Sequence, residues 1–181
     1  MKCPTPRQAG TVATATASGD GAANAVAHIT GTTATDLLWP EDSIPTIVTV
    51  CSVTRYTGGA RGRILHCLDS PTQSINWLQG HHNAFRGHVY YSGLKTTSSN
   101  VGVVDDWLVM CGTNAGATFP GNIIMDHDEI GTADGGEGGC RLNVGYTQQS
   151  DWALHSVLIW DYSIGQSLYP GTPQQLYHWF C

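Results

Sequence analysis

From Trp152 to Trp160 the chain reads W-A-L-H-S-V-L-I-W. In an extended strand successive side chains alternate between two faces. Trp152, Leu154, Ser156, Leu158 and Trp160 then share one face, and Ala153, His155, Val157 and Ile159 the other. Both faces are mostly apolar, so both must be covered, and only the middle of a layered structure offers that. The rest of the chain repeats the strand signal. Ile47–Tyr56 is a β-branched run, Gly58-Gly59 interrupts it, and Arg63–Leu68 resumes it, which predicts a hairpin with a glycine turn. Further strands are predicted at 87–91, 106–111, 122–125, 129–132 and 141–145. A tight turn is predicted at Asp126–Asp128 and a glycine-rich loop at Gly135–Gly139. Short strands with turn residues between them, and no long helical period, predict an all-β sandwich or barrel. A short helix is predicted only at Thr172–Trp179, after Pro170-Gly171.

Length and charge narrow the class. A chain of 181 residues is expected to form one domain, with or without an arm. Residues 9–35 are rich in Ala, Thr and Gly and offer little bulk to bury, so 1–35 is expected as an extended N-terminal arm with one strand near Ala25–Thr30, a flexible linker being the equal alternative. The sandwich itself is expected over 36–181. Charged residues make up only 12%, the net charge is −6, and Lys and Arg are spread thinly. A phosphate-backbone binder needs clustered cations, so nucleic acid is not an expected partner. No apolar stretch is long enough for a membrane helix. No apolar signal core follows Met1-Lys2-Cys3-Pro4, so a processed or partial chain is expected. No N-x-S/T acceptor occurs.

The six cysteines, Cys3, Cys51, Cys67, Cys111, Cys140 and Cys181, contain no C-x-x-C pair, which leaves zinc ribbons unsupported. A hairpin centred on Gly59 sets residue 51 opposite residue 67, so Cys51–Cys67 is a candidate cross-strand disulfide. A slip of one residue would send the two to opposite faces. Disulfides would imply an oxidising compartment, whereas free cysteines buried as small apolar groups are the plainer alternative.

The segment A-L-H-S-V-L-I-W-D-Y-S-I at Ala153–Ile164 resembles the last strand of laminin-G-like modules of the concanavalin A-like superfamily. Val50–Leu65 and Asn76–Gly93 look similar to an early and a middle strand pair of the same group. The resemblance runs in order over residues 36–178. It implies a jelly-roll sandwich of two antiparallel sheets with adjacent termini. Adjacent termini would let Cys3 meet Cys181, which leaves Cys111 with Cys140, one connectivity among many.

The same superfamily includes β-glucanases, whose catalytic strand alternates Glu, Asp and Glu so that the carboxyl groups share one cleft. Here the nearest match is Met125–Ile130, where Asp126 and Asp128 share a face and Glu129 points away. A solvated hairpin turn explains those residues equally well. Asp105-Asp106 also faces two ways, and no G-x-S-x-G elbow occurs. His66 and Cys67 are strand neighbours, hence on opposite faces. No catalytic residue is therefore expected. Calcium is a candidate cofactor at a loop rim, held by Asp126, Asp128 and Glu129, or by Asp134, Glu137 and the carbonyls of 135–139. Adjacent His81 and His82, with His88 and His127 elsewhere, lack the ligand spacing of a zinc site. For a sugar, aromatic faces rimmed by polar groups gather at Trp77, Gln79, His81, His82, Asn83, Tyr90 and Tyr91. Tyr90 and Tyr91 must face opposite ways on a strand, so one of them is expected in the core. Trp107, Trp152 and Trp160 are expected in the core. The expected function is a non-catalytic extracellular or cell-surface module that recognises a glycan or protein through loops at one end of the sandwich. A structural subunit of an extracellular assembly, joined through the N-terminal arm, is the alternative. A glycan-active enzyme is the weakest.

Overall fold

A computed structural model describes residues 6–68, 75–96, 101–115, 121–146 and 148–163. Among them lie 13 strands: β1 (Arg7–Ala9), β2 (Ala13–Gly19), β3 (Ala22–Gly31), β4 (Asp36–Leu38), β5 (Thr49–Arg61), β6 (Leu65–Leu68), β7 (Trp77–His82), β8 (Phe85–Tyr91), β9 (Leu108–Thr113), β10 (Ile123–Met125), β11 (Asp128–Gly131), β12 (Arg141–Val144) and β13 (Ser150–Trp160). They form two antiparallel sheets packed face to face. One has six strands in the order β1-β4-β12-β6-β7-β8, the other seven in the order β11-β10-β9-β5-β13-β3-β2. The predicted helix at 172–179 lies outside the described residues, as do Cys3 and Cys181.

The alternation seen in the sequence holds over Trp152–Leu154 and then slips: a register shift between Leu154 and Ser156 exchanges the faces, so Val157 and Ile159 pack on the inner core while Leu158 is exposed. Trp152 and Leu154 face the core between the sheets, with Val50, Tyr56, Trp77, Val89, Leu108, Met110, Leu142 and Val144. Ala153 faces outward into a second small cluster with Val53 and Trp107. Trp152 is fully buried, while Trp107 sits in the outer cluster and Trp160 is only half-buried. β13 is a central strand between β5 and β3, but the expected cover on both faces is complete only over Trp152–Leu154; His155 and Leu158 are exposed, because β3 pairs with β13 only up to Leu154.

The hairpin predicted between 47–56 and 63–68 does not form. β5 runs on through Gly58 and Gly59 to Arg61 and pairs with β9 and β13, and β6 belongs to the opposite sheet. Gly58 serves a close approach rather than a turn, whereas a Cβ on Gly59 would meet open space. A Cβ on Gly58 would strike the Asp151 side chain, whose carboxylate accepts a hydrogen bond from Ala60 N at 3.0 Å. The disulfides change accordingly. Cys51 lies opposite Cys111 in β9 and is bonded to it, with Cα atoms 4.1 Å apart. Cys67 in β6 is bonded to Cys140, one residue before β12, with Cα atoms 5.8 Å apart. The Cys51–Cys67 and Cys111–Cys140 pairings are thus replaced.

The segment read as an arm contributes to both sheets. β1 pairs with β4 over Arg7–Ala9. Gly10, at φ 73°, then turns the chain toward the other sheet, with no room for a Cβ against the Ala34 carbonyl. β2 and β3 form a hairpin that includes the predicted strand at 25–30. β3 pairs with β13 only over Ile29–Gly31. Beyond that point the hairpin curls over the outer face, where Ala22 and Val26 pack on the Val53–Trp107–Ala153 cluster. Its tip is latched. Asp20 O accepts from Trp107 N at 2.8 Å, and the Asp20 carboxylate meets Arg55 at 2.9 Å. The Arg55 guanidinium also lies 5.5 Å from the Trp107 ring centroid.

Candidate functional site

β7 and β8 form a hairpin whose two-residue turn, Asn83-Ala84, has positive φ at both positions, 50° and 62°. That is the turn hand that suits the twist of paired strands. Asparagine tolerates it, but alanine does so at a cost. The turn is held by Ala84 N donating to Arg61 O at 2.9 Å. A bulge at Gly80/His81 keeps His81 on the inner face and His82 on the outer one.

The hairpin therefore divides the seven residues expected to bind a ligand. Trp77, Gln79, His81 and Tyr91 point into the core and are fully buried. Trp77 and Tyr91 stack at 5.9 Å between centroids. Gln79 links the two sheets: its Nε2 donates to Val50 O at 3.0 Å, and its Oε1 accepts from the Tyr91 hydroxyl at 2.9 Å. Gly112 leaves room for that pair, since a Cβ there would lie 2.7 Å from the Tyr91 oxygen. His81 Nδ1 lies 3.2 Å from Thr54 Oγ1, and its ring meets Tyr56 edge-on at 4.6 Å. Burial, reinforced by the Arg86 charge, pushes its pKa down to about 3. These four are structural. A strand pattern shows that a residue alternates, not which side is the core, so sequence alone joined two faces that the fold separates.

His82, Asn83 and Tyr90 remain at the surface, and the fold adds residues the sequence argument did not group with them. Phe85 stacks on His88 at 5.3 Å between centroids. His88 lies 5.9 Å from His82 and 6.2 Å from Tyr90. His82 meets Tyr90 edge-on at 6.0 Å. Arg63 sits 6.0 Å from the Tyr90 ring centroid and donates to Asn76 Oδ1 at 2.8 Å. The outcome is a continuous strip of four rings and one guanidinium on the outer face of the six-stranded sheet. Burial, followed by the charges of Arg63 and His88, lowers the His82 pKa, and burial lowers that of His88. At neutral pH both imidazoles are neutral, each able to donate and accept a hydrogen bond. The strip continues inward along one register row, Tyr90–Leu78–His66–Asn143, into buried polar groups. Alternation would have paired His88 with Tyr90, but the meeting with His82 and Arg63 depends on register between strands.

The acidic candidates lie elsewhere. Asp126 and His127 form the β10–β11 turn, with φ values of 47° and 87°. Asp126 Oδ2 accepts from the buried Arg86 at 2.6 Å, and Oδ1 accepts from Val109 N at 2.9 Å. Both oxygens are committed to the protein, so a calcium ion there would have to displace a buried arginine. Asp128 and Glu129 are exposed beyond it. Asp134 pairs with Lys95 at 2.7 Å, and that bond holds its carboxyl below the usual range. Among the described residues no group of three or more His, Cys, Asp or Glu converges as a metal site. No helix among them is long and apolar enough to cross a membrane. The chain matches no known family model and no curated protein.

Proposed function

We propose that this protein is a non-catalytic recognition module of the laminin-G-like, jelly-roll type that binds a glycan through the outer face of the β7–β8 hairpin. The observation that carries this reading is the Phe85–His88–His82–Tyr90 ring strip with Arg63 at its edge. A pyranose presents an apolar C–H face and a rim of hydroxyls. Ring faces take the first, and imidazole nitrogens, a phenol and a guanidinium take the second. Phe85 is 40% exposed, enough for a ligand to cover. The two disulfides are compatible with an extracellular location.

The test is a glycan array run with calcium and again with a chelator, using the natural chain, Tyr90→Ala and His88→Ala. Binding by the natural chain, lost at least about tenfold in both variants, is the expected result. Because Asp126 is already engaged, chelation should leave binding unchanged. Binding that both variants retain, or none in any condition, overturns the assignment.

A further inference from the structure

Among the described residues the two sheets end in four edge strands, and three of them carry features that discourage pairing with another chain. β1 is only 3 residues long. β8 is bulged opposite Gly80/His81 and partly covered by a bridge from Tyr90 to Leu94, with Lys95 N donating to Val89 O. β11 is short, carries Asp128 and Glu129, and is bridged from Gly131 to Thr96. β2 differs. All 7 of its residues are exposed, and from Gly10 to Gly19 the sequence G-T-V-A-T-A-T-A-S-G has no charge and no proline. Its one irregularity lies beyond Ala17, which leaves Ala13–Ala17 regular.

We infer that β2 is a self-pairing edge, and that two copies of this chain join β2 to β2 antiparallel about a twofold axis through Ala15. The pattern is symmetric about that residue. In this register Thr14 faces Thr16 of the other copy, Ala13 faces Ala17, and Ala15 faces itself. Threonine meets threonine on one face and alanine meets alanine on the other, so the two β2–β3 hairpins continue as one four-stranded ribbon. Shifting the axis to a point between residues would set Thr against Ala and turn one sheet over. A partner of opposite charge gains nothing at an uncharged edge, whereas a second neutral edge avoids burying charge on a molecule of net charge −6. One strand pair buries less than the ~1,200 Å² of a standard stable complex, so the dimer is reversible and concentration-dependent.

Sedimentation equilibrium over a concentration series tests this with the full chain, Ala15→Lys, Ala15→Glu and an equimolar mixture of the two. The natural chain should dimerise. Each single variant should weaken association at least about tenfold, because like charges would face each other across the axis. The mixture should restore a mixed dimer. Circular dichroism and melting of each variant check that the fold persists, as expected for an exposed position. A natural chain that stays monomeric at the highest concentration overturns the proposal, as does a dimer that survives Ala15→Lys. Loss in both variants without rescue in the mixture overturns the axis at Ala15.

Discussion

His81 and His66 show what one buried side chain costs. Each is almost fully enclosed, and neither Nε2 has a hydrogen-bond partner. Burial is the main cause of both depressed values, with Arg86 adding to it at His81 and Arg63 at His66, whose pKa falls to about 4. The folded state thus holds both neutral, while the unfolded chain protonates them near 6.5. Their contribution to stability is complete above pH 6.5. It declines as pH falls, until the folded pKa of about 4 is passed for His66 and about 3 for His81. Each contributes a slope of up to ~1.4 kcal/mol per pH unit in that window. Urea midpoints at pH 7, 5.5 and 4.5 should fall steeply for the natural chain and less steeply for His81→Gln. An unchanged slope would show that this imidazole does not drive the loss.

At the scale of elements, the β2–β3 hairpin depends on its tip. Its strands are held on the outer face by Ala22, Val26 and His28 against the Trp107 cluster, and its tip by the Asp20–Arg55–Trp107 latch. Arg55→Met removes the ion pair, the cation–π contact and the guanidinium's hydrogen bonds to Tyr56 O and Asp105 O, and of these the first two hold the hairpin tip. Hydrogen exchange of the amides at 22–28 should accelerate by roughly tenfold, since two modest contacts to the tip are lost. Global unfolding should hardly move. Faster exchange throughout both sheets would mean that the hairpin opens only with the whole molecule. This hairpin also marks the limit of sequence reading. The strands at 25–30 and 152–160 were visible because alternation is local. The pairing of β3 with β13 was not, because small Ala and Thr side chains carry no signal of the Trp107 cluster they cover. For the same reason Gly58-Gly59 resembled a turn: glycine marks a missing side chain equally well at a turn and at a close approach. At the candidate site, Tyr90 and His82 were legible as polar aromatics. Their separation from Trp77, Gln79, His81 and Tyr91 required knowing which face was the core.

For the molecule as a whole, the Cys51–Cys111 bridge lies within the seven-stranded sheet, and Cys67–Cys140 ties β6 to the segment that enters β12 in the other. Between the sheets the apolar core is supplemented by Gln79, which reaches from β7 to Val50 O in β5 and Met110 O in β9. The bridges act mainly on the unfolded chain. With its ends separated by 73 positions in sequence, Cys67–Cys140 should contribute about 4 kcal/mol by loop-closure entropy. Urea unfolding of the Cys67→Ala/Cys140→Ala double variant measures this directly. A loss under about 1 kcal/mol would mean that the unfolded chain is already compact around that loop.

The order of those cysteines has a consequence for damage rather than for stability. Cys67 lies inside the loop closed by Cys51 and Cys111, and Cys140 lies outside it, so the two loops interlock along the chain. A protease that cuts once anywhere between Cys51 and Cys140 leaves two pieces still tied by at least one bridge. Such a nicked molecule should migrate as one band until reductant is added. Pairing Cys51 with Cys67 and Cys111 with Cys140 would have set the two loops side by side, so that neither of these bridges spanned a cut between 67 and 111.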